Sequence, residues 1–191
     1  MKQKVAIVGT GNVGKALREG LERSGHEVRA AGKGKVSETA SWADIIILAI
    51  PFAAIPDVTR ELQSVADGKT VVDVTNALTP DMQLALGFST SGAEELQRAL
   101  PRARIIKAFN TVFAQHMSRG SAAGQQLSLF AAGDDPAARK AVLELGKAIG
   151  FDAIDAGPLK NARHLESLGY FNIQLGYVLG NGPDIGFKLA H

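Results

Sequence analysis

Short apolar runs recur along the chain, separated by stretches in which apolar residues return every three or four positions. The runs at residues 5–8, 27–31, 43–50, 70–74, 104–108, 127–132 and 151–156 have the length of strands. Several are apolar at every position, the mark of a parallel strand buried on both faces. Between the first two, Val13, Ala16, Leu17, Gly20 and Leu21 keep helical spacing, and Gly25 in Ser24-Gly25-His26 supplies a left-handed stop. Pro56 opens a second helix, with Val58, Leu62 and Val65 on one face. Ser91 and Glu94 form a capping box for a third, running to about Leu100. Asp134-Asp135-Pro136 caps a fourth, whose apolar face is Ala141, Val142, Leu145, Ala148 and Ile149 and which Gly150 closes. After Gly157-Pro158-Leu159 a last helix carries Leu165, Leu168, Leu175 and Leu179. Strand and helix in alternation predict an α/β fold, a doubly wound and mostly parallel sheet with a short helical C-terminal extension. A division into residues 1–156 and 157–191 is expected, without a sharp boundary, because no linker or repeat separates them.

The most informative stretch is the first strand with the loop and helix after it. The run Val5-Ala6-Ile7-Val8 ends in Gly9-Thr10-Gly11-Asn12-Val13-Gly14, three spaced glycines that lead into the first helix. Gly9 suits a tight turn, Gly11 removes the side chain that would hold a pyrophosphate off the backbone, and Gly14 allows close helix-to-strand packing. Free N–H groups and the positive end of the helix dipole then face the loop, so its natural ligand is an anion. The strand before, the helix after and the second strand at residues 27–31 complete the βαβ opening of a dinucleotide-binding Rossmann sheet. Such folds usually place a carboxylate about 20 residues beyond the glycines to bind the ribose 2′-hydroxyl. This chain has Gly32-Lys33-Gly34-Lys35 instead. A cation there attracts a 2′-phosphate, so NADP is expected over NAD.

The other strand ends point to the same rim. Ile50-Pro51-Phe52 follows the third strand, with Phe52 either packing near the nicotinamide or covering the core. Thr75-Asn76 follows the fourth, placed either to contact ribose and nicotinamide or to close a local side-chain turn. Residues 77–91 are the least regular stretch, read as a lid over the pocket or as disorder. Phe109-Asn110-Thr111 ends the fifth strand, and His116 is the histidine nearest the expected cleft. His26 reads as a surface turn residue. With no partner His, Cys or paired carboxylate, His116 makes neither a metal site nor a triad.

Composition narrows the partner. Lys and Arg number 21 against 19 Asp and Glu, for a net charge of +2, and no basic run favours nucleic acid or an anionic membrane. A small-molecule redox substrate is expected. The absence of Cys rules out disulfides and thiolate metal sites and agrees with a reducing compartment. No signal-peptide core precedes the first strand and no apolar run approaches the roughly 20 residues of a membrane span. A soluble, cytoplasmic protein is expected.

Several segments together resemble the NADP oxidoreductases that depend on the deazaflavin coenzyme F420, and the similar cytoplasmic reductase domain of the STEAP metalloreductases. They are Gly9-Thr10-Gly11-Asn12, Gly25-His26-Glu27, Ile50-Pro51-Phe52, Gly133-Asp134-Asp135, Asp155-Ala156-Gly157-Pro158-Leu159 with Arg163 and Glu166-Ser167-Leu168, and Ile185-Gly186-Phe187-Lys188. The resemblance implies NADP(H) lying along Thr10, Asn12 and Val13, with its 2′-phosphate near Gly32 and Lys33. It also implies a homodimer whose interface and substrate cleft use the C-terminal extension. The family's usual Ser-Arg is Gly32-Lys33 here, and its Trp after Ile-Pro is Phe52. The implied reaction is hydride transfer between nicotinamide and a deazaflavin or flavin, for which no acid/base pair is needed. Two alternatives are an NADPH-dependent reductase of a small carbonyl or imine, which would need His116 or Lys107 as proton donor, and a non-catalytic NADP-binding redox sensor.

Overall fold

The computed structural model describes residues 2–32 and 34–190. The elements in chain order are β1 (Lys4–Val8), α1 (Asn12–Arg23), β2 (Glu27–Ala31), α2 (Val36–Trp42), β3 (Ile45–Leu48), α3 (Ile55–Leu62), β4 (Thr70–Asp73), α4 (Gly92–Ala99) and β5 (Arg104–Ala108). Next come α5 (Ala114–Met117), a short hairpin of β6 (Ser121–Ala122) and β7 (Gln125–Gln126), β8 (Ser128–Gly133), α6 (Pro136–Ile149), β9 (Asp152–Asp155) and α7 (Ala162–Ile173). Seven strands form one sheet in the order β2-β1-β3-β4-β5-β8-β9. All neighbours are parallel except β5 and β8, which run antiparallel.

Strand alternation divides the core. Val5 and Ile7 pack with Leu17, Leu21, Val142 and Leu145 on the face covered by α1 and α6. Ala6, Val8, Ile46 and Leu48 pack with Val36, Val58, Leu62 and Leu96 on the face covered by α2, α3 and α4. The chain leaves β1 for β2 on one side and returns to β3 on the other, so the strand order reverses between β1 and β3. In open α/β sheets that switch point is where a ligand-binding crevice opens.

The structure departs locally from the pattern-based expectation. The β3 strand is four residues and not eight, because only Ile45–Leu48 finds parallel partners on both sides. Helix α2 lacks a pattern strong enough to announce it: seven residues, three of them Ser or Thr, with only Val36 and Ala40 buried. It is held in part from β2, where the Arg29 guanidinium lies 4.2 Å from the Trp42 ring centre. Helix α3 stops at Leu62, leaving Val65 in the turn beyond it. The last helix ends at Ile173 and continues as a π-helical turn, Gln174–Val178, which carries Leu175. Both expected caps are present: Ser91 accepts from the Glu94 N–H, and Asp135 accepts from the Ala138 N–H at 2.8 Å.

Candidate functional site

The C-terminal ends of β1, β3, β4 and β5 open into a cleft of two adjoining cavities, each of about 290 Å³. The first is lined by Gly11, Asn12, Val13, Ile50 and Pro51 with Ala49, Val74, Thr75 and Asn76. The second shares Asn12, Val13, Val74 and Asn76 and adds Asn110, Val112, Phe113, Met117, Gly169, Asn172, Ile173 and Tyr177, with Met82 at its edge. Gly11, Asn12, Val13, Ile50, Pro51, Thr75 and Asn76, all singled out in the sequence, therefore meet at one wall. No carboxylate, imidazole or ammonium group lines either cavity, and the Tyr177 phenol is the one titratable side chain among the described residues that do.

The glycines have separate causes. Gly9 has φ +120° and donates its N–H to Ala31 O at 2.9 Å; a Cβ there would lie 2.0 Å from Ala49 O. Gly14 lets α1 approach the loop, since its Cβ would meet Gly9 O at 2.2 Å. Gly11 is different: a Cβ there meets nothing within 4 Å. No protein contact requires Gly11, and it opens α1 as an N-cap without side-chain capping, leaving N–H groups of the first turn facing the cleft. These features fit the phosphates of a dinucleotide. Thr10 is exposed in the same loop, and Gly32 is exposed just past β2. Lys33 lies outside the described residues. Phe52 takes the second of its two readings, half-buried against the α3 side of the core and absent from both cavities.

Asn76 and Asn110 hold one another. Asn110 Nδ2 donates to Asn76 Oδ1 at 3.2 Å and to Leu165 O at 2.8 Å, while Asn76 Nδ2 donates to Asn110 O at 3.3 Å. Asn172 donates to Thr111 O at 3.2 Å. Helix α7 is thus bonded to the segment after β5, and Gly169 permits the approach: its Cβ would fall 2.6 Å from Asn76 Oδ1 and 2.7 Å from Asn110 Nδ2. Gly169→Ala is expected to destabilise the fold by about 1–3 kcal/mol through overpacking, read as a lowered urea midpoint. A midpoint equal to the parent's would show that α7 yields freely. Two buried oxygens, Thr75 Oγ1 and Asn110 Oδ1, have no hydrogen-bond partner among the described residues. Both residues line the cleft, so a ligand with polar groups can complete them.

Beneath the cleft lies a buried ion network. Lys107 Nζ is 2.9 Å from Asp73 Oδ2 and 3.0 Å from Glu166 Oε1, and donates to Thr75 O at 2.6 Å. Glu166, from α7, also accepts from the Gly92 and Ala93 N–H groups at 3.0 and 3.3 Å, the start of α4. Burial alone would lower the Lys107 pKa, but the Asp73 and Glu166 carboxylates outweigh it and hold the ammonium above its ordinary value. Lys107 is therefore unsuited to give up a proton, against its candidacy as a donor. His116 fails too: it is buried, its Nε2 lies 3.0 Å from Pro183 O, and it lines neither cavity. It tethers the C-terminal segment. The 77–91 stretch closes on itself through Ala85 N–H to Ala77 O at 2.8 Å and is pinned where Arg163 binds Phe88 O and Glu94. The expectation of disorder is thereby corrected, and Met82 brings this stretch to the second cavity. The local turn here is closed by Asp73, whose Oδ1 accepts from the Thr75 N–H at 2.9 Å, while the Thr75 hydroxyl itself has no partner among the described residues. Sequence reasoning did not identify Gly169, Asn172, Ile173 or Met82; it marked α7 through Leu165 and Leu168 and through the Arg163 and Glu166-Ser167-Leu168 segment, not through the residues that face the cleft.

A family model described as NADP oxidoreductase, coenzyme F420-dependent, matches residues 4–43 and 30–77. Metalloreductase STEAP3 of Rattus norvegicus is 32% identical over 180 residues, which cover 86% of this chain and 36% of that protein. The chain thus spans about a third of that metalloreductase. The F420-dependent NADP reductase of Methanocaldococcus jannaschii is 27% identical over 160 residues, 81% of this chain and 71% of that one. A crystal structure assigned as an F420-dependent NADP reductase from Arthrobacter sp. FB24 superposes with a TM-score of 0.89 at 29% identity, covering 99% of this chain and 100% of its own. The resemblance read from the sequence is shown: the chain has relatives among the F420-dependent NADP reductases and the STEAP metalloreductases, and its fold is that of the Arthrobacter structure. No helix among the described residues is long and apolar enough to cross a membrane.

Proposed function

We propose that this protein is an NADP(H)-dependent oxidoreductase that passes a hydride between the nicotinamide and a stacked deazaflavin or flavin-type ring. The observation that carries the reading is the pair of adjoining cavities, sharing Asn12, Val13, Val74 and Asn76, with no acid or base beyond one phenol on their walls. Reduction of a carbonyl or imine requires a positioned proton donor, whereas transfer between two ring systems does not. The nicotinamide and the partner ring supply the redox chemistry when bound. The chain's task is to orient them and exclude water. Gly11 and the first turn of α1 hold phosphate, Ile50 and Pro51 wall the first cavity, and the Asn76–Asn110 pair fixes the polar face shared with the second. Val112, Phe113, Met117 and Ile173 make the second cavity apolar enough for a planar ring.

The assay follows NADPH absorbance with coenzyme F420, FMN, FAD, ferric chelates and small carbonyls in parallel. Turnover with deazaflavin or flavin is expected. Turnover confined to carbonyls would sink the reading and turn attention to Tyr177 as donor; tight NADPH binding without turnover would favour a redox sensor. The 2′-phosphate is assigned to the Gly32-Lys33 segment on charge. Lys33→Ala is accordingly expected to weaken NADPH binding about tenfold while leaving NADH nearly unchanged, the loss of one charge-assisted contact. Equal losses for both nucleotides would remove that assignment. A homodimer formed through the C-terminal segment accounts for the exposure of Phe171, Tyr177, Val178 and Leu179, and a cytoplasmic setting accords with the lack of Cys. Sedimentation at micromolar concentration tests the dimer.

A further inference from the structure

The second cavity does not end at Tyr177. It continues into an open groove of about 470 Å³ between α1 and α5 that shares Asn12, Ala114 and Tyr177 with it. Lys15 and Glu19 come from α1, three and seven residues beyond Asn12, and Arg119 faces them from the segment after α5. Glu19 is paired with Arg23 at 3.7 Å. Lys15 and Arg119 are exposed, and no carboxylate lies within ion-pair distance of either among the described residues. The cavity that takes the ring is uncharged, while the groove leading out of it holds two cations on facing walls. We propose that this groove binds an anionic, phosphate-bearing tail of the hydride-exchange partner, so that the protein selects ring compounds carrying such a tail over the bare ring. The inference rests on the function proposed above, but the two fail separately.

A competing source of the same chemistry is the NADP pyrophosphate, since Lys15 lies one helical turn from the glycine loop. The probes are FMN and riboflavin, which share a ring and differ by one phosphate. Their binding is followed by quenching of flavin fluorescence in the presence of NADP+, and turnover by NADPH absorbance. FMN is expected to bind about fivefold to tenfold more tightly than riboflavin. Raising salt from about 50 to 300 mM should erode that preference, because exposed charges are screened over a few ångströms at the higher value. In the Lys15→Gln/Arg119→Gln double variant the preference should shrink to about twofold or less, as expected for two exposed charge contacts. Equal affinity for FMN and riboflavin in the parent protein would overturn the groove and leave the hydride-transfer reading standing. Binding of neither flavin, with coenzyme F420 equally inert, would overturn both. A double variant that loses NADPH affinity while keeping its FMN preference would assign the two cations to the nucleotide and overturn the proposal.

Discussion

Lys107→Met is expected to destabilise the protein by about 3–5 kcal/mol, the cost of removing one partner from a buried ion network. Methionine keeps the approximate volume, so the loss isolates the charge. Asp73 and Glu166, 1% and 4% exposed, would be left facing one another without the ammonium between them, and Thr75 O would lose its donor. Urea unfolding measures it: a midpoint shift worth less than about 1 kcal/mol would show the network to be neutral on balance. The sign of its pH dependence comes from the raised Lys107 pKa. The unfolded lysine titrates near 10.5 and the folded one above it, so the contribution is complete below 10.5 and is lost as pH climbs through the folded value. Glu94 behaves oppositely. Its hydrogen bonds from Arg163 hold it below the ordinary 4.5, so its contribution is present above 4.5 and lost on acidification through the folded value.

Gly11→Val is expected to weaken nucleotide binding strongly while costing the fold little more than the difference between Gly and Val at an N-cap. The backbone at Gly11, with φ −74° and ψ −169°, suits any residue, and a Cβ there meets no protein atom within 4 Å. A branched side chain would instead stand in the space that a pyrophosphate needs, for an expected loss of about 100-fold in NADPH affinity, equivalent to roughly 2.7 kcal/mol. Calorimetry should give a melting temperature lowered by a few degrees at most beside the weakened binding. Undiminished NADPH affinity would place the phosphates elsewhere. At Gly9 the same substitution would confound the two, because the left-handed φ and the 2.0 Å approach to Ala49 O make that glycine necessary to the fold itself.

What the chain disclosed before folding depended on how local the signal was. The β1 loop and α1 were legible because strand run, glycines and helical period lie within about twenty consecutive residues. The caps at Ser91 and Asp135 were legible for the same reason. Helix α2 was not, since its small apolar content satisfies no period and its position depends on contacts with β1, β2 and α3. The second cavity was illegible in kind. Its walls come from Asn76, Asn110 and Gly169, separated by 34 and 59 positions, and nothing in the amide side chains advertises that they will meet. Lys107 shows the converse limit: an apolar strand bearing one lysine suggested a catalytic amine, and only the distant Asp73 and Glu166 turned it into an internal tie.

Glu166 carries a consequence for how the chain is made. Its carboxylate completes Lys107 and receives the first N–H groups of α4, yet it is synthesised 59 residues after the lysine and more than 70 after the helix it caps. While the ribosome is still adding residues 110–160, the emerging sheet holds Lys107 with Asp73 as its sole carboxylate partner and an α4 start that Ser91 caps at Glu94 but whose Gly92 and Ala93 N–H groups still lack the Glu166 acceptor. The nucleotide-binding half is therefore expected to remain loosely set until the tail arrives. A chain stopped at 156 should expose its centre to proteolysis at sites that the finished protein hides.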